Sequence, residues 1–579
     1  MGVATGTAVH QPQPRLDADG LKREVGLLGL MWASEGSIIG SGWLFGSLVA
    51  LTYAGPSALL GWVIASGIVI LLALVHAELG GIFPVTGGTS RFPHYAFGSL
   101  AGGTFGWFAY IQAATVAPIE VLTTIQYFST VSWANSWYKS PAHGATKGTL
   151  SGDGIAAAAV LMFVFVVINL VGIRWLVHAN TTITSWKVVI PVLVIVTLLA
   201  THFHGGNFTA GGGFFLPGGF SASAKGIMVA LPGAGIVFAL LGFEQAVQLG
   251  GESARPQRDL PRAVIGSILI GATIYILLQF AFIAALNPAT IANFHTWANF
   301  AKDRALEAGP FYTIAKVAAL GWLAWILRVD AVVSPGGTGL IYLTSASRLS
   351  FGLSKNGYVP KQFESTTART RIPVFGVIVT AVIGMLFLLP FSSWASLVDI
   401  VTGASVLMYA GAPLALGALR KSKPELTRSY RLPAAGIIAP LSFVLANFIV
   451  FWSGWNTVSL LMAVLLVGYI LMALSSALHL NDHTPKLDWG AAVWIFPYLI
   501  GMTLISYFGS FGTGGLFGVG GVFKNVLVGG HGDLPLWWDL LTLGIFSLAI
   551  YLLAVHSRLP VEKVDEYVKD VFPPSLPVH

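Results

Sequence analysis

Long apolar runs, separated by short charged or Gly/Pro-rich breaks, follow one another along nearly the whole chain of 579 residues. A run of about 18 or more apolar residues is typical of a helix that spans a membrane. The pattern therefore predicts an all-α integral membrane protein with about fourteen spanning helices. Their expected bounds are 26–53, 55–81, 99–127, 154–172, 183–203, 227–249, 263–287, 313–347, 373–390, 393–418, 433–453, 456–478, 489–508 and 537–556.

The Lys and Arg residues of the connecting loops predict the orientation of these helices. If the N-terminus lies in the cytoplasm, most of the cations fall in the loops on that same side, as the positive-inside rule requires. Residues 1–24 and 558–579 then form cytoplasmic tails. We expect a multi-pass protein of the inner (cytoplasmic) cell membrane, with the lipid bilayer as a partner.

Composition excludes several other classes of protein. Hydrophobic residues make up 55% of the chain and charged residues only 9%, against about 25% charged in soluble domains. The net charge of +7 is spread over loops, so a nucleic-acid partner is not expected. The chain has no cysteine, which rules out thiolate metal sites and thiol nucleophiles. His178, His202 and His204 lack metal-ligand spacing, and the glycine run 211–213 lacks the Lys-Ser/Thr of a phosphate loop. We therefore expect no metal, no cofactor and no use of ATP.

The first predicted span contains a run of small residues, Gly-Ser-Ile-Ile-Gly-Ser-Gly, from Gly36 to Gly42. Each glycine weakens a helix interior by about 1 kcal/mol relative to alanine. Irregular backbone inside a membrane is tolerated where it lines a cavity or is buried in protein. The run therefore predicts local unwinding, although Gly36 and Gly40 also fit close packing between two continuous helices.

The sixth predicted span is interrupted in a similar way, by Pro232, Gly233, Gly235 and Gly242. Spans one and six open two successive groups of five helices, in residues 25–203 and 204–418. Because each group has an odd number of spans, the two groups have opposite topology. Interruptions at corresponding places in two such halves indicate a transport site. The free N–H groups of one half-helix suit a carboxylate, and the free carbonyls of the other suit an ammonium group. Residues 419–557 add spans eleven to fourteen.

Several motifs, in order over residues 25–480, resemble those of the amino acid–polyamine–organocation (APC) transporters. They are Gly36–Gly42, Phe238–Glu244, Gly251-Glu252, Arg258–Arg262, Ser345–Arg348 and Lys355–Pro360. The stretches Asp330–Gly337, Phe451–Trp455 and Ser506–Gly512 resemble the aspartate–proton symporter branch of that family, which also has spans beyond twelve.

The resemblance implies a LeuT-like fold with a five-plus-five inverted repeat and an amino acid as substrate. The substrate carboxylate would lie on amides around Gly40, Ser41 and Gly42, and its amino group would meet carbonyls near Ile38 and from Phe238 to Leu241. The candidate substrate-binding residues are Ser37, Ile38, Gly40, Ser41, Gly42, Phe238, Ala239, Leu241 and Gly242.

Ionisable residues inside spans are functional candidates, because burying an unpaired charge in a membrane is costly. Lys187 lies in span five, and the resemblance suggests a lysine that replaces a coupling sodium ion in proton-driven members. The alternative is a lysine that reaches to the membrane interface.

Five further charges within the predicted spans are possible accessory groups. Arg328 and Asp330 lie mid-way through span eight and, two residues apart, do not face each other. Arg328 could bind the side-chain carboxylate of an acidic substrate or form an ion pair with Glu120 or Glu244. Glu35 would end the first half-helix and should be paired or protonated. Glu244 would open the second half of span six, where the helix dipole favours an anion; for Glu120 the pattern favours no particular role.

The leading hypothesis is a secondary active transporter that imports an amino acid, with an acidic one such as aspartate favoured and the proton as coupling ion. The alternatives are a neutral or cationic amino-acid permease or exchanger on the same fold and, more distantly, a membrane-embedded enzyme. An enzyme predicts clustered His, Asp or Glu near one membrane face, and the sequence has no such cluster. We therefore expect no enzymatic activity.

Overall fold

The computed structural model of the chain describes residues 24–85, 87–139, 148–171, 173–367, 372–389, 393–483, 485–512, 530 and 532–569. Apart from Glu24, the predicted tail 1–24 lies outside the described residues, as do residues 570–579 of the predicted tail 558–579.

Helices α1–α7 build the first part of the chain. They are α1 (Leu27–Ile38), α2 (Gly42–Ala54), α3 (Ala58–Ile82), α4 (Gly88–Phe97), α5 (Ser99–Phe128), α6 (Gly152–Val171) and α7 (Ile173–Thr201). Between α5 and α6 the short strands β1 (Tyr138–Lys139) and β2 (Thr149–Leu150) pair antiparallel.

Helices α8–α17 form the second part. They are α8 (Gly219–Gly233), α9 (Ile236–Ala239), α10 (Glu244–Gln248), α11 (Pro256–Ala285), α12 (Pro288–Phe294), α13 (Arg304–Ala308), α14 (Pro310–Val317), α15 (Gly321–Lys355), α16 (Val374–Leu388) and α17 (Trp394–Ser422). The last part holds α18 (Ala435–Trp452), α19 (Gly454–Ala477), α20 (Ile495–Phe508), α21 (Leu536–Ser557) and α22 (Val561–Val568).

Each of the fourteen predicted spans overlaps one or more of these helices, and the largest difference is at span eight. The sequence pattern joined 313–347, but the helix breaks at Ala319, which has a positive φ of 56°. Residues before this break belong to α14 and those after it to α15, which runs on to Lys355. Arg328 therefore lies near the start of α15 and not mid-way along a span, which corrects the sequence-based position.

Among the described residues, nine helical segments are long and apolar enough to cross a membrane. The segment Gly42–Ile82 counts once but contains both α2 and α3. The shorter helices α16 and α20 are apolar but have fewer residues. The prediction of an all-helical membrane protein is thus confirmed at this level, while the count of fourteen spans stays a prediction.

Helix α5 lies at the centre of the fold. The most apolar part of α5 is buried completely inside the protein, and the helix packs against α15, α16 and α17. Its many small residues, among them Gly102, Gly106 and Ala113, allow these neighbours to approach closely.

Arg420 and Arg428 share the carboxylate of Glu78, Lys423 pairs with Asp565 of α22, and Lys563 of α22 pairs with Asp488. We call the surface formed by these four cations and α22 the cation-rich face. There the buried Glu78 of α3 accepts hydrogen bonds from Arg420 Nε and Arg428 Nε, both at 3.0 Å. The backbone N–H of Leu432 also donates to Glu78, at 2.7 Å. This carboxylate ties α3 to α17 and to the loop that follows α17.

Replacing Glu78 with glutamine should destabilise the fold, because two guanidinium groups lose an anion that they share. Removing one partner of a buried ion pair costs about 3–5 kcal/mol. We expect a clear decrease in the midpoint of thermal unfolding of the purified protein in detergent. The matched control is Glu425→Gln, since Glu425 is 62% exposed and pairs with Lys423 at 3.3 Å. An equal, small effect of both substitutions would contradict this role of Glu78.

Candidate substrate-binding site

The first predicted interruption is present in the structure. Helix α1 ends at Ile38 and α2 begins at Gly42, so residues 39–41 leave the helical path. Helix termini carry backbone groups without partners inside the helix. The carbonyl end of α1 and the N–H end of α2 therefore face each other across three residues, all of them buried.

The second interruption is also present, and it touches the first. Between α8 and α10 the chain turns at Gly235 and Gly242, with positive φ angles of 74° and 128°. A Cβ atom on Gly242 would lie 2.7 Å from the backbone nitrogen of Ile38, and one on Gly42 would lie 2.7 Å from the Cβ of Ala239. Neither glycine can be enlarged without separating the two interruptions.

A cavity of only about 10 Å³ lies between them, so the two interruptions are almost closed on each other in this structure. Of the nine predicted substrate-binding residues, six line it; they are Ser37, Ile38, Gly40, Gly42, Phe238 and Leu241. The other three are not in its lining: Ala239 and Gly242 pack against the first interruption, and Ser41 bonds to neighbouring side chains. Glu120, Val116, Thr338 and Tyr342 complete the lining.

Lys187 lies at the carbonyl end of α1. Its ammonium group donates hydrogen bonds to the carbonyl of Gly36 and, at 2.7 Å, to the hydroxyl of Thr338. The Thr338 hydroxyl in turn donates to the Gly36 carbonyl at 3.0 Å. Lys187 is fully buried, so the alternative of a lysine reaching to the interface is wrong. A cation at this position balances the partial negative charge of a helix C-terminus.

Glu120 of α5 lies at the N–H end of α2. One of its oxygens accepts from the Ser41 N–H at 2.9 Å, and the other from the Ser41 hydroxyl at 3.0 Å. The Gly40 N–H donates to the Ile38 carbonyl at 3.2 Å. Two of the three amides expected to hold the substrate carboxylate therefore already bond within the protein. This corrects the predicted carboxylate site: of the amides of Gly40, Ser41 and Gly42, that of Gly42, at the first position of α2, is the remaining candidate.

The Ile38 carbonyl, which was expected to meet the substrate amino group, accepts a hydrogen bond from the Tyr275 hydroxyl at 2.8 Å. Glu35, one turn earlier in α1, is completely buried. Neither of its carboxylate oxygens has a hydrogen-bond partner among the described residues. Glu35 was expected to be either paired or protonated, and a paired Glu35 is therefore not formed among the described residues.

Glu244 is the first residue of α10, in agreement with the predicted helix-start position. Its carboxylate accepts from the Gly242 N–H and from the Tyr342 hydroxyl, both at 2.8 Å, and also from the Tyr409 hydroxyl. An anion is favoured at a helix N-terminus. Glu244 thus fixes the second interruption against α15 and α17.

Arg328 and Asp330 point to different partners, as their spacing predicted. The Arg328 guanidinium stacks 4.6 Å from the ring centre of Tyr312 and donates to the hydroxyl of the same residue. The ion pair of Arg328 with Glu120 or Glu244, one of the two alternatives, is not formed among the described residues, because the guanidinium is directed to Tyr312.

Asp330 accepts from Trp186 Nε1 at 2.8 Å and from the Ser334 hydroxyl at 2.7 Å. Trp186 is the chain neighbour of Lys187, so Asp330 positions α7 against α15 beside the lysine.

The sequence interpretation missed Tyr275, Thr338, Tyr342 and Trp394, whose side chains bond to the two interruptions. Thr338 had a usable signal, because it stands within Gly336-Gly337-Thr338-Gly339, a run of small residues in an otherwise apolar helix. The other three are single aromatic residues on different helices. Nothing in their local pattern indicates which side of the helix faces the site.

Two helices interrupted side by side, around a cavity inside an all-helical membrane protein, define a carrier of small polar solutes. The family profile described as "Amino acid permease" matches residues 25–474, and the chain belongs to this family. The prediction of an amino-acid transporter of the APC type is thereby confirmed.

The curated relatives are transporters as well. The chain is 34% identical to the glutamate/serine transporter AimA of Bacillus subtilis, over 95% of this chain and 96% of the relative. It is 33% identical to the aspartate-proton symporter of the same organism, over 94% and 98% of the two chains. The branched-chain amino acid permease BcaP of B. subtilis is 26% identical over 79% of this chain and 94% of the relative.

Replacing Gly42 with alanine should weaken substrate binding, because the new methyl group would force the first interruption away from Ala239. We expect at least about a tenfold decrease in affinity, equivalent to about 1.4 kcal/mol, measured by binding of radiolabelled aspartate, glutamate and serine to the purified protein. The control is Gly67→Ala in α3, where an added Cβ meets nothing within 4 Å. Unchanged binding by Gly42→Ala would show that the contact between the interruptions does not shape the site.

Proposed function

We propose that this permease imports an acidic amino acid such as aspartate together with a proton. The observation that carries the proposal is the buried ammonium group of Lys187 at the carbonyl end of α1, next to the cavity between the two interruptions. Such a group can bind and release a proton as the access to the cavity changes. The substrate carboxylate would bind near Gly42 at the start of α2, where N–H groups are free of intrahelical partners.

Coupling follows from the position of Lys187, a residue of α7, at the carbonyl end of α1. In its charged form, the lysine holds the carbonyl end of α1 through Gly36 and bridges to α15 through Thr338. Loss of the proton removes the charge that balances the end of the α1 dipole. The bridge between α1, α7 and α15 then weakens, and α1 becomes free to move against α15. Proton release and movement of the substrate-bearing helix are in this way parts of one step.

The proposed architecture is a LeuT-like five-plus-five inverted repeat, with residues 25–203 and 204–418 as the two halves and residues 419–557 as additional spans. Support comes from the two interruptions, which stand near the beginning of each half and touch each other. The proposal includes fourteen spans, both termini in the cytoplasm and location in the cell membrane. Under this orientation the cation-rich face is the cytoplasmic one.

A second candidate is a small neutral amino acid as the main substrate, and a specific observation favours it. Arg328, the candidate partner for an acidic side chain, bonds to Tyr312. It stands about 15 Å along α15 from Thr338, at the usual helical rise per residue. The cavity itself is lined by the carboxylate Glu120. Among the curated relatives, one is a glutamate/serine transporter and one an aspartate-proton symporter, so both substrate classes are included in the tests.

Lys187→Ala should remove the dependence of uptake on a proton gradient, because no other buried cation contacts the carbonyl end of α1 in the part of the chain that the structure describes. The measurement is uptake of radiolabelled aspartate, glutamate and serine into liposomes, with and without an imposed pH gradient. Lys139→Ala, at an exposed position in β1, is the control and should keep the gradient dependence. Uptake by Lys187→Ala that still follows the pH gradient would remove the coupling role of Lys187.

Arg328→Ala should leave the ratio of aspartate to serine uptake unchanged within about twofold, or roughly 0.4 kcal/mol, because the guanidinium is held by Tyr312 outside the cavity. Arg304→Ala controls for loss of an exposed arginine that bonds to Asn135. A selective loss of aspartate uptake in Arg328→Ala, with serine uptake retained, would instead make Arg328 a specificity-determining residue for acidic substrates.

A further inference from the structure

The short helix α22, after the last long helix, lies on the cation-rich face and contacts α4. Its buried side consists of Val564 and Val568, preceded by Leu559, while Glu562 and Glu566 are exposed. An amphipathic helix with this pattern buries its apolar stripe against the protein. Residues 559–569 lie beyond the 25–474 region that the family profile covers, so this helix is an addition to the family core.

Three separate elements hold α22 in place. The backbone N–H of Leu559 donates to the Ala96 carbonyl of α4 at 3.0 Å. Asp488, which precedes α20, accepts from the Tyr567 hydroxyl at 2.6 Å and pairs with Lys563. Lys423, directly after α17, pairs with Asp565 at 2.6 Å. Any displacement of α4 relative to α17 or α20 must therefore break at least one of these contacts.

The contact with α4 is centred on His94, which lies outside the long apolar helices. Its ring contacts the Tyr567 ring at a tilt of 54°, with centres 4.4 Å apart, and its Nδ1 lies 2.9 Å from the Tyr358 hydroxyl. Burial and, to a smaller extent, the charge of Arg91 lower the pKa of His94 to about 4, against the opposing effects of Asp488 and of the Gly98 backbone. The imidazole is therefore neutral at physiological pH and can accept the Tyr358 hydrogen bond.

Helix α4 in turn contacts the end of the second interrupted span. The Gly87 N–H donates to the Gln248 carbonyl at the end of α10, at 3.1 Å. A Cβ on Gly88 would lie 3.0 Å from the Val247 carbonyl oxygen. At the other end of α4, a Cβ on Gly98 would lie 2.1 Å from Asp488 Oδ2. Helix α4 is thus enclosed between α10 on one side and the segment that anchors α22 on the other.

We propose that α22 is a strap that keeps the cation-rich face closed by pressing α4 against α10, and that it must detach before the substrate cavity can open on that face. The proposal rests on the proposed function for its transport readout, but its structural consequence can be measured without any substrate. It also assigns a role to the additional helices: α20 and α21 supply the anchor and the connection for the strap.

The first test is amide hydrogen–deuterium exchange of the full-length protein, read in α4 and α10. Tyr567→Ala removes the ring contact with His94 and the hydrogen bond to Asp488. We expect exchange in both helices to become about tenfold faster, with α5 unchanged. The control Glu562→Ala alters an exposed position of the same helix and should leave exchange as in the wild type. Unchanged exchange in α10 upon Tyr567→Ala would overturn the proposal.

The second test fixes the strap in its docked position. Because the chain has no native cysteine, the pair Ala96→Cys and Leu559→Cys introduces one possible disulfide. The backbone hydrogen bond of 3.0 Å between Leu559 and Ala96 brings the two segments into direct contact, and loss of free thiols upon oxidation verifies that the disulfide has formed. Oxidation should decrease liposome uptake at least about tenfold, reduction should restore it, and each single-cysteine variant should be insensitive to both.

The outcomes separate the two proposals. Full uptake by the oxidised pair would show that α22 stays docked during transport and would overturn the strap. If the wild type moves none of the amino acids supplied, the proposed function fails, and the exchange measurement alone decides whether α22 holds α4 against α10.

Discussion

The structure depends on one constraint: backbone groups freed inside a membrane need partners, since neither lipid nor a broken helix supplies them. Side chains from the surrounding helices meet this need at both interruptions. Lys187 and Thr338 bond to Gly36 at the end of α1, and Tyr275 bonds to Ile38. Glu120 bonds to Ser41 at the approach to α2. The positions of α5, α7, α11 and α15 follow from these bonds as much as from apolar packing.

This arrangement explains why charges are buried at the centre of a protein with few charged residues. Lys187 lies at the partly negative C-terminus of α1, and Glu120 lies near the partly positive N-terminus of α2. The two side chains therefore balance the same helix-end charges that the ammonium and carboxylate groups of a zwitterionic substrate would balance. Glu244 does the same at the start of α10. Under the proposed function, a substrate between these helices competes with, or adds to, bonds that the protein already makes. The proposal therefore links substrate binding to movement of the interrupted helices.

The sequence was sufficient to predict most of the fold because its signals are local. The lengths of the apolar runs predicted the helices, and the glycines within residues 36–42 and 232–242 predicted the interruptions. The pairing of Glu120 with Ser41, and of Arg328 with Tyr312, could not be predicted. Each contact depends on how two helices are rotated about their axes relative to one another, and the residue pattern of a single helix does not specify that rotation. The break at Ala319 was missed for a related reason: a positive φ at an alanine is set by the packing of α14 and α15 and not by its own preference.

The central claim is that the two interruptions together hold the substrate through backbone groups. A density map of the protein in lipid nanodiscs, saturated with a transported amino acid, tests it most directly. We expect the α-carboxylate of the bound amino acid to lie within hydrogen-bonding distance of the first N–H groups of α2. Its amino group should face the backbone carbonyls at the C-terminus of α1 and those of residues 238–241. Substrate density away from both interruptions, or continuous helices through residues 38–42 and 239–244, would contradict this account.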